Sequence, residues 1–272
     1  MKNTGNTPPS IISITTSEIT AFPIHSHKQV EITCVLDGKL EAELNLGKYT
    51  LYPYDVLIAF PYDFHSYTPL VPETRTCKVI VDPSELGVLN EVFEKCSPFT
   101  NVIPSSVIKG LFPNYTQMLN GINNRLMSES KKDVISARCD FAIYLSALLE
   151  KIELSTDKKK HNDEYFRVVK YCSEHYTQLN FNLKQLADDL SLSTSKIQRL
   201  FKKYMGIKFK DYIAFLRMEE AKILLTETDM SITTISFNVG FSSLSAFSRT
   251  FKRTFGYSSS DYRRIVKSGG AV

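Results

Sequence analysis

The fold is decided near the end of the chain by the stretch "GFSSLSAFSRTFKRTFG" (Gly240–Gly256), because an earlier stretch nearly repeats it. The earlier copy is "LSLSTSKIQRLFKKYMG" (Leu190–Gly206). Both copies are rich in Ser, Lys and Arg, and neither contains an acidic residue. In each copy apolar residues recur three or four positions apart, as on a helix with one buried face. The sequence therefore predicts one small helical unit that is used twice.

The repeat extends upstream of both stretches, and its offset changes from 49 to 50 residues on the way. Since turns accept insertions more readily than packed helices do, the extra residue locates a turn between two helices. Each copy is thus predicted to be helix, turn, helix, with Ser193 or a neighbour capping the second helix of the first copy. The corresponding residues are Leu183, Leu186, Ala187, Leu190 and Leu192 with Ile232, Ile235, Ser236, Val239 and Phe241 at offset 49, and Arg199, Phe201, Lys202, Gly206 and Tyr212 with Arg249, Phe251, Lys252, Gly256 and Tyr262 at offset 50.

The outward face of each second helix is suited to DNA. Arginine can pair bidentately with guanine and glutamine with adenine, whereas lysine neutralises phosphates without selecting a sequence. Ordinary solvated charge is the alternative for one such helix, but two copies in register favour DNA binding. The predicted DNA-binding residues are Ser195, Lys196, Gln198, Arg199, Lys202, Leu244, Ser245, Ser248, Arg249 and Lys252.

Charge is unevenly distributed along the 272 residues. From residue 161 onward there are 17 Lys and Arg against 11 Asp and Glu, a net charge of +6, whereas residues 1–160 carry 16 against 18, a net charge of −2. A basic carboxy-terminal part on a nearly neutral body indicates a polyanionic partner for that part alone.

The last hundred residues resemble the AraC/XylS family of bacterial transcription regulators. The resemblance implies two helix-turn-helix units joined by the helix around "FLRMEEAKILL", which enter successive major grooves of DNA. One departure is Ser259, where the family usually has a proline that starts the last helix. The matching residues are Leu186-Ala187, Ser193, Leu200-Phe201-Lys202, Gly206, Tyr212-Ile213, Arg217 and Ala221 in the first half, and Ile235, Gly240-Phe241, Phe247, Arg249, Phe251-Lys252, Gly256 and Tyr262-Arg263 in the second.

The amino-terminal half has a different pattern. Short runs rich in Val, Ile, Leu, Thr and Tyr, separated by turn signals such as Asp37-Gly38, predict a barrel of strands over about residues 10–85. Two amphipathic helices are predicted within about residues 85–155. The expected fold is therefore α+β and multidomain: a cupin-like sensing and dimerisation domain (1–155), a polar linker (156–163) and an all-α DNA-binding domain with two helix-turn-helix units (164–267).

Histidines and a glutamate mark the predicted barrel with the spacing H-x-H-x3-E, followed by a later histidine. In a cupin barrel this pattern can converge on a metal, since imidazole and carboxylate suit iron, manganese or zinc. Sensor domains of AraC-like regulators often keep the pattern without a metal, and there the side chains brace an effector pocket. We expect the pocket, with no metal and no cofactor; a metal-dependent cupin enzyme is the alternative. The predicted pocket residues are His25, His27, Glu31, His65 and Tyr67.

The remaining features concern location and partners. Five cysteines with no C-x-x-C pair favour a reducing compartment, and no signal-type or membrane-spanning apolar run is present, so the cytoplasm is expected. We expect promoter DNA, RNA polymerase and a small-molecule effector, such as a sugar or another polar metabolite, as partners of a homodimer that activates or represses transcription. A regulator controlled by a protein instead of an effector is the alternative.

Overall fold

The computed structural model describes residues 12–19, 22–45, 47–156 and 164–268. The chain divides into two compact units, residues 1–162 and 163–272. The predicted linker lies outside the described residues, except for Thr156. The expected fold class, a β domain with following helices and an all-α carboxy-terminal domain, is confirmed.

The described part of the first unit contains two large antiparallel sheets and one two-stranded sheet, β11-β9. The five-stranded sheet has the order β1-β8-β3-β6-β10, and the four-stranded sheet has the order β2-β7-β4-β5. The strands are β1 (Ile12–Glu18), β2 (Phe22–His25), β3 (Val30–Asp37), β4 (Leu40–Leu44), β5 (Gly47–Leu51), β6 (Val56–Ala59), β7 (His65–Pro69), β8 (Arg75–Val81), β9 (Ser97–Pro98), β10 (Val102–Ile103) and β11 (Leu154–Ser155).

Strand β3 is buried on both faces, because its alternate residues pack in two different cores. Ile32 and Cys34 pack in a core shared with the helices of this unit. Val35, on the opposite face, packs against Leu40 and Tyr67 of the four-stranded sheet. Because successive strand residues point to opposite faces, the odd-numbered residues of β3 face the space between the sheets.

The helices of the first unit are more numerous than the two that the periodicity predicts. They are α1 (Asn90–Lys95), α2 (Ser105–Leu111), α3 (Tyr115–Leu126) and α4 (Lys131–Leu149). Helices α1 and α2 span fewer than two full turns, which is too short for a 3.6-residue pattern to stand out. Helix α4 ends at Leu149, and Ile152 is buried in the turn that follows.

Seven helices form the second unit, which was predicted to be helical throughout. Ser193 caps α7 by accepting a hydrogen bond from the Lys196 backbone N–H, and Ser243 caps α10 in the same way. The helix α11 begins at Ser259 without the proline of the family and is capped by Ser258. The helices are α5 (Glu164–His175), α6 (Leu183–Leu190), α7 (Thr194–Tyr204), α8 (Phe209–Glu227), α9 (Ile232–Asn238), α10 (Leu244–Phe255) and α11 (Ser259–Lys267).

The helices of the second unit leave one face of α7 and one of α10 free of the core. Ile197 and Phe201 of α7 are fully buried, as are Phe247 and Phe251 of α10. The long helix α8 lies in sequence between α7 and α9 and packs against α7, α9, α10 and α11. Among the residues that the structure describes, no helix is long and apolar enough to cross a membrane.

Candidate nucleic-acid interface and histidine cluster

We refer to α6, its turn and α7 as the first helix-turn-helix, and to α9, its turn and α10 as the second. In both, the second helix buries one face and exposes the predicted DNA-binding residues, because apolar residues recur at helical spacing. Nine of the ten predicted residues are exposed, and Lys196 is half-buried. The exposed ones are Ser195, Gln198, Arg199 and Lys202 on α7, and Leu244, Ser245, Ser248, Arg249 and Lys252 on α10.

The two arginines occupy equivalent places on their helices, four residues after Ser195 and Ser245 respectively. Arg249 Nη1 donates a hydrogen bond to Ser245 Oγ at 2.9 Å, one turn earlier on α10. This bond holds the guanidinium along the exposed face near the start of the helix. A helix that enters a major groove presents such side chains near its amino-terminal end to base edges.

Lys196 departs from the pattern, since its ammonium is paired within the protein. Lys196 Nζ lies 2.5 Å from Glu164 Oε1, at the start of α5. The second helix-turn-helix has Ala246 at the equivalent position. The sequence suggested an ordinary phosphate-binding lysine here, because nothing in a linear pattern reveals a partner 32 residues away.

A cleft of about 860 Å³ adjoins the exposed face of α7. It is bordered by Gln198 and Lys202 of α7 and by Lys208, Lys210 and Arg217 on or near α8. Sequence reasoning did not assign Lys208 and Lys210 to the interface, although both belong to the acid-free basic segment 196–210. Their cationic side chains add positive charge beside the predicted recognition helix, where a phosphate backbone can be bound.

A junction joins the two halves of this unit. Arg217 Nε donates to the Tyr176 carbonyl at 2.7 Å and Arg217 Nη2 to the Gln178 carbonyl at 3.0 Å, both in the turn after α5. Its guanidinium carbon also lies 5.6 Å from the ring centre of Phe241 in the second helix-turn-helix. Burial lowers the pKa of Arg217. Arg217 therefore ties the first half to the turn of the second.

Gly240 completes this junction. Its φ of +93° is in the left-handed region, and a Cβ added there would lie 2.8 Å from the Thr177 carbonyl oxygen and 2.9 Å from Arg217 Nε. A side chain at this position would meet both backbone strain and a close contact. The family motif contained this glycine, but its contact with the turn after α5 is visible only in three dimensions.

In the first unit, the structure brings together all five residues predicted for the effector pocket. Glu31 comes from the five-stranded sheet, and His25, His65 and Tyr67 come from the four-stranded sheet. His25 and His65 are paired residues of β2 and β7, with ring centres 4.1 Å apart. We call His25, His27, Glu31 and His65 the histidine cluster; one potential ligand atom from each lies within 4.8 Å of the others.

Two further residues complete the surroundings of Glu31. Thr33 Oγ1 donates to Glu31 Oε1, and Lys78 Nζ lies 3.2 Å from that same oxygen. Burial would raise the pKa of Glu31, but the Lys78 ammonium holds it well below its usual range. Sequence reasoning missed Thr33 and Lys78, although each has the strand alternation that points it between the sheets. Burial also lowers the pKa of His25 and of His27.

Comparisons with known proteins bear first on the second unit. A helix-turn-helix domain family matches residues 186–265. The arabinose operon regulatory protein of Escherichia coli is 38% identical over 93 residues, which are 34% of this chain and 32% of that protein. The chain thus spans about a third of the length of this relative. The resemblance to the AraC/XylS family is confirmed, and the helix-turn-helix domain carries it.

Longer but weaker matches cover most of the chain. The melibiose operon regulatory protein of E. coli is 23% identical over 261 residues, which are 89% of this chain and 83% of that protein. The structure of ToxT from Vibrio cholerae with an unsaturated fatty acid bound matches with a TM-score of 0.60 at 16% identity, over 96% of this chain and 97% of ToxT. At that identity the likeness shows a shared fold.

Proposed function

We propose that this AraC/XylS-type chain is a sequence-specific DNA-binding transcription regulator. The observation that carries the proposal is the pair of equivalent helices α7 and α10, each with an exposed arginine opposite a buried apolar face. Arg199 and Gln198 on α7, and Arg249 on α10, would contact base edges in two major grooves. Lys202, Lys208, Lys210 and Lys252 would contact phosphates.

The test is selection of sites by the full-length chain from a random pool of double-stranded DNA. We expect a motif with two guanine-containing elements about 10 base pairs apart, because that spacing puts two major grooves on one side of the duplex. Recovery of unrelated sequences, or of a single short element, would contradict the proposal. The matched control is the double variant Arg199→Ala/Arg249→Ala, which should bind the pool without enriching the motif.

Salt dependence is an independent measurement on the selected site. The segment Lys196–Lys210 contains six basic residues and no acidic one. Of these, Lys202, Lys208 and Lys210 are proposed to contact phosphates, together with Lys252 of α10. If four phosphates are neutralised, the affinity should fall roughly a hundredfold between 50 and 200 mM salt. An affinity that is insensitive to salt would exclude binding through phosphates.

The first unit would bind a small-molecule effector between its two sheets. The support is a polar centre enclosed by apolar strands, in which the Tyr67 hydroxyl lies 3.1 Å from Thr33 Oγ1, beside the buried Glu31 and His65. Polar groups in this arrangement suit a sugar or another polar metabolite. Isothermal titration against polar metabolites and unsaturated fatty acids tests this, with Tyr67→Phe as the variant that removes one hydroxyl. If nothing in either class binds, a regulator controlled by a protein partner is favoured.

A homodimer through α4 is the proposed assembly. Ile135 and Ile143 are 63% and 68% exposed and lie eight residues apart, with the exposed Cys139 midway between them. Residues four apart share a helix face, so the three form an apolar stripe on the surface of this unit. Two such stripes can cover each other about a twofold axis.

Native Cys139 provides the test. Mild oxidation of the full-length chain should produce a disulfide-linked dimer that Cys139→Ser abolishes and Cys96→Ser leaves intact. Unchanged crosslinking in Cys139→Ser would place the interface elsewhere. As a promoter-bound regulator, the chain would act on RNA polymerase in the cytoplasm and would catalyse no reaction.

A further inference from the structure

The histidine cluster has an unusual arrangement of hydrogen-bond donors and acceptors. His27 Nδ1 lies 3.2 Å from the Gln29 carbonyl oxygen, and His65 Nδ1 lies 3.0 Å from the Asp63 carbonyl oxygen. A carbonyl oxygen only accepts, so in both rings Nδ1 carries the proton and donates it. In the neutral tautomer of either ring, Nε2 is therefore the nitrogen with the lone pair.

Both lone pairs face an acceptor. His27 Nε2 lies 3.5 Å and His65 Nε2 3.7 Å from the same carboxylate oxygen, Glu31 Oε2. Both nitrogens are buried, and within the part of the chain that the structure describes neither receives a hydrogen bond. Three acceptors that converge in a buried space repel one another unless a cation lies between them.

Lys78 contacts the other oxygen of the carboxylate. It contacts Oε1 at 3.2 Å, the oxygen that also accepts from Thr33. Oε2 is the oxygen that faces the imidazoles.

The donor set indicates which cation fits. Three imidazoles and one carboxylate suit zinc, iron, nickel or copper rather than magnesium or calcium. Ligand atoms on opposite sides of such an ion are roughly 4 Å apart, since each is about 2.0–2.2 Å from the metal. The 4.8 Å spread of the cluster exceeds that span by less than about 1 Å. The donation of Nδ1–H to a backbone carbonyl is also how ligating histidines are commonly oriented.

We propose that the histidine cluster binds one divalent first-row transition-metal ion, with His25, His27, His65 and Glu31 as its ligands. This replaces the expectation from the sequence that the pocket holds no metal. Because His25 and His65 belong to the four-stranded sheet and Glu31 to the five-stranded sheet, the ion links the two sheets across the interior. The site requires no contact with DNA.

The test is titration of the chelator-stripped, full-length protein with Zn²⁺, measured by calorimetry and by thermal unfolding. We expect one Zn²⁺ per chain and a rise of roughly 5–10 °C in the Tm of the first unit at a hundredfold excess over Kd. His65→Gln should weaken Zn²⁺ binding at least about a hundredfold, since loss of a residue that only orients a ligand already weakens binding by 10–100-fold. His175→Gln, in the other unit, is the matched control and should bind as the parent does.

Lys78→Met keeps the test decisive even if a ligand variant fails to fold. It removes a positive charge beside Glu31 while all four ligands remain, so Zn²⁺ should bind roughly tenfold or more tightly. Stoichiometric binding that is lost in His65→Gln and strengthened in Lys78→Met supports the site. Absence of Zn²⁺ binding, or binding that neither variant alters, overturns it. Selection of DNA sites by the metal-free chain is measured separately, so failure of the metal site leaves the proposed regulator function standing.

Discussion

The two helix-turn-helices share a sequence pattern but differ at the turn between their helices. Each of these turns contains a residue with positive φ. In the first, that residue is Ser191, with a φ of +54° and an exposed side chain. In the second it is Gly240, pressed against the carbonyls of Tyr176 and Thr177. The residue with positive φ is thus exposed to solvent in the first copy and packed in a junction in the second. Equivalent positions in a repeat therefore need not tolerate the same substitutions.

Of the substitutions that test this difference, Gly240→Ala should destabilise the second unit most. The alanine must adopt a left-handed φ and its Cβ would lie within 3 Å of three atoms, so we expect a loss of about 2–4 kcal/mol in the free energy of unfolding of the second unit. Thermal and urea unfolding of the full-length chain measure it. Ser191→Gly is the control, and we expect it to be neutral or to stabilise by up to about 1 kcal/mol. Equal effects at both turns would contradict the difference.

The two arginines should instead behave alike. Arg199→Ala and Arg249→Ala should each lower discrimination at one base pair by about 1–3 kcal/mol, because each removes a bidentate contact with guanine. The affected base pairs should lie about 10 base pairs apart. Site selection with each single variant measures both quantities. Unchanged base preferences in both variants would mean that another face of these helices contacts DNA.

Arg217→Met tests whether the junction holds the two helix-turn-helices at a fixed separation. The variant keeps an apolar side chain beside Phe241 but loses the hydrogen bonds to the Tyr176 and Gln178 carbonyls. Since the guanidinium is partly exposed, we expect a loss of about 1–2 kcal/mol in stability. Tolerance of altered spacing between the two DNA elements should increase at the same time. A variant that is destabilised but keeps strict spacing would show that Arg217 only stabilises the fold.

The comparison also shows what could be predicted from sequence. The exposed and buried faces of α7 and α10 could be predicted because helical periodicity is local, and the same holds for the caps Ser193 and Ser243. The convergence of His25, His27, Glu31 and His65 was predicted from their spacing within a barrel. The roles of Gly240, Lys78 and Glu164 could not be predicted, since each depends on a neighbour more than 30 residues away. Helices α1 and α2 were missed because they are shorter than the pattern that would reveal them.

The smallest expected effect concerns the lysines, and it follows from a difference in charge between the second helices of the two copies, Lys196 against Ala246. Lys202 and Lys252 are exposed and equivalent, so Lys202→Ala and Lys252→Ala should each reduce the salt slope of DNA binding by about one unit. Lys196 is paired with Glu164, so Lys196→Ala should reduce the slope by clearly less than Lys202→Ala does. Glu164→Gln is the complementary change: it frees the ammonium for a phosphate, and the slope should become steeper. The measurement is the logarithm of affinity for the selected site against the logarithm of salt concentration, for the parent and the four variants. If Lys196→Ala matches Lys202→Ala and Glu164→Gln has no effect, the Lys196–Glu164 pair does not persist on DNA, and α7 presents one phosphate contact more than α10, which has Ala246 at the equivalent position.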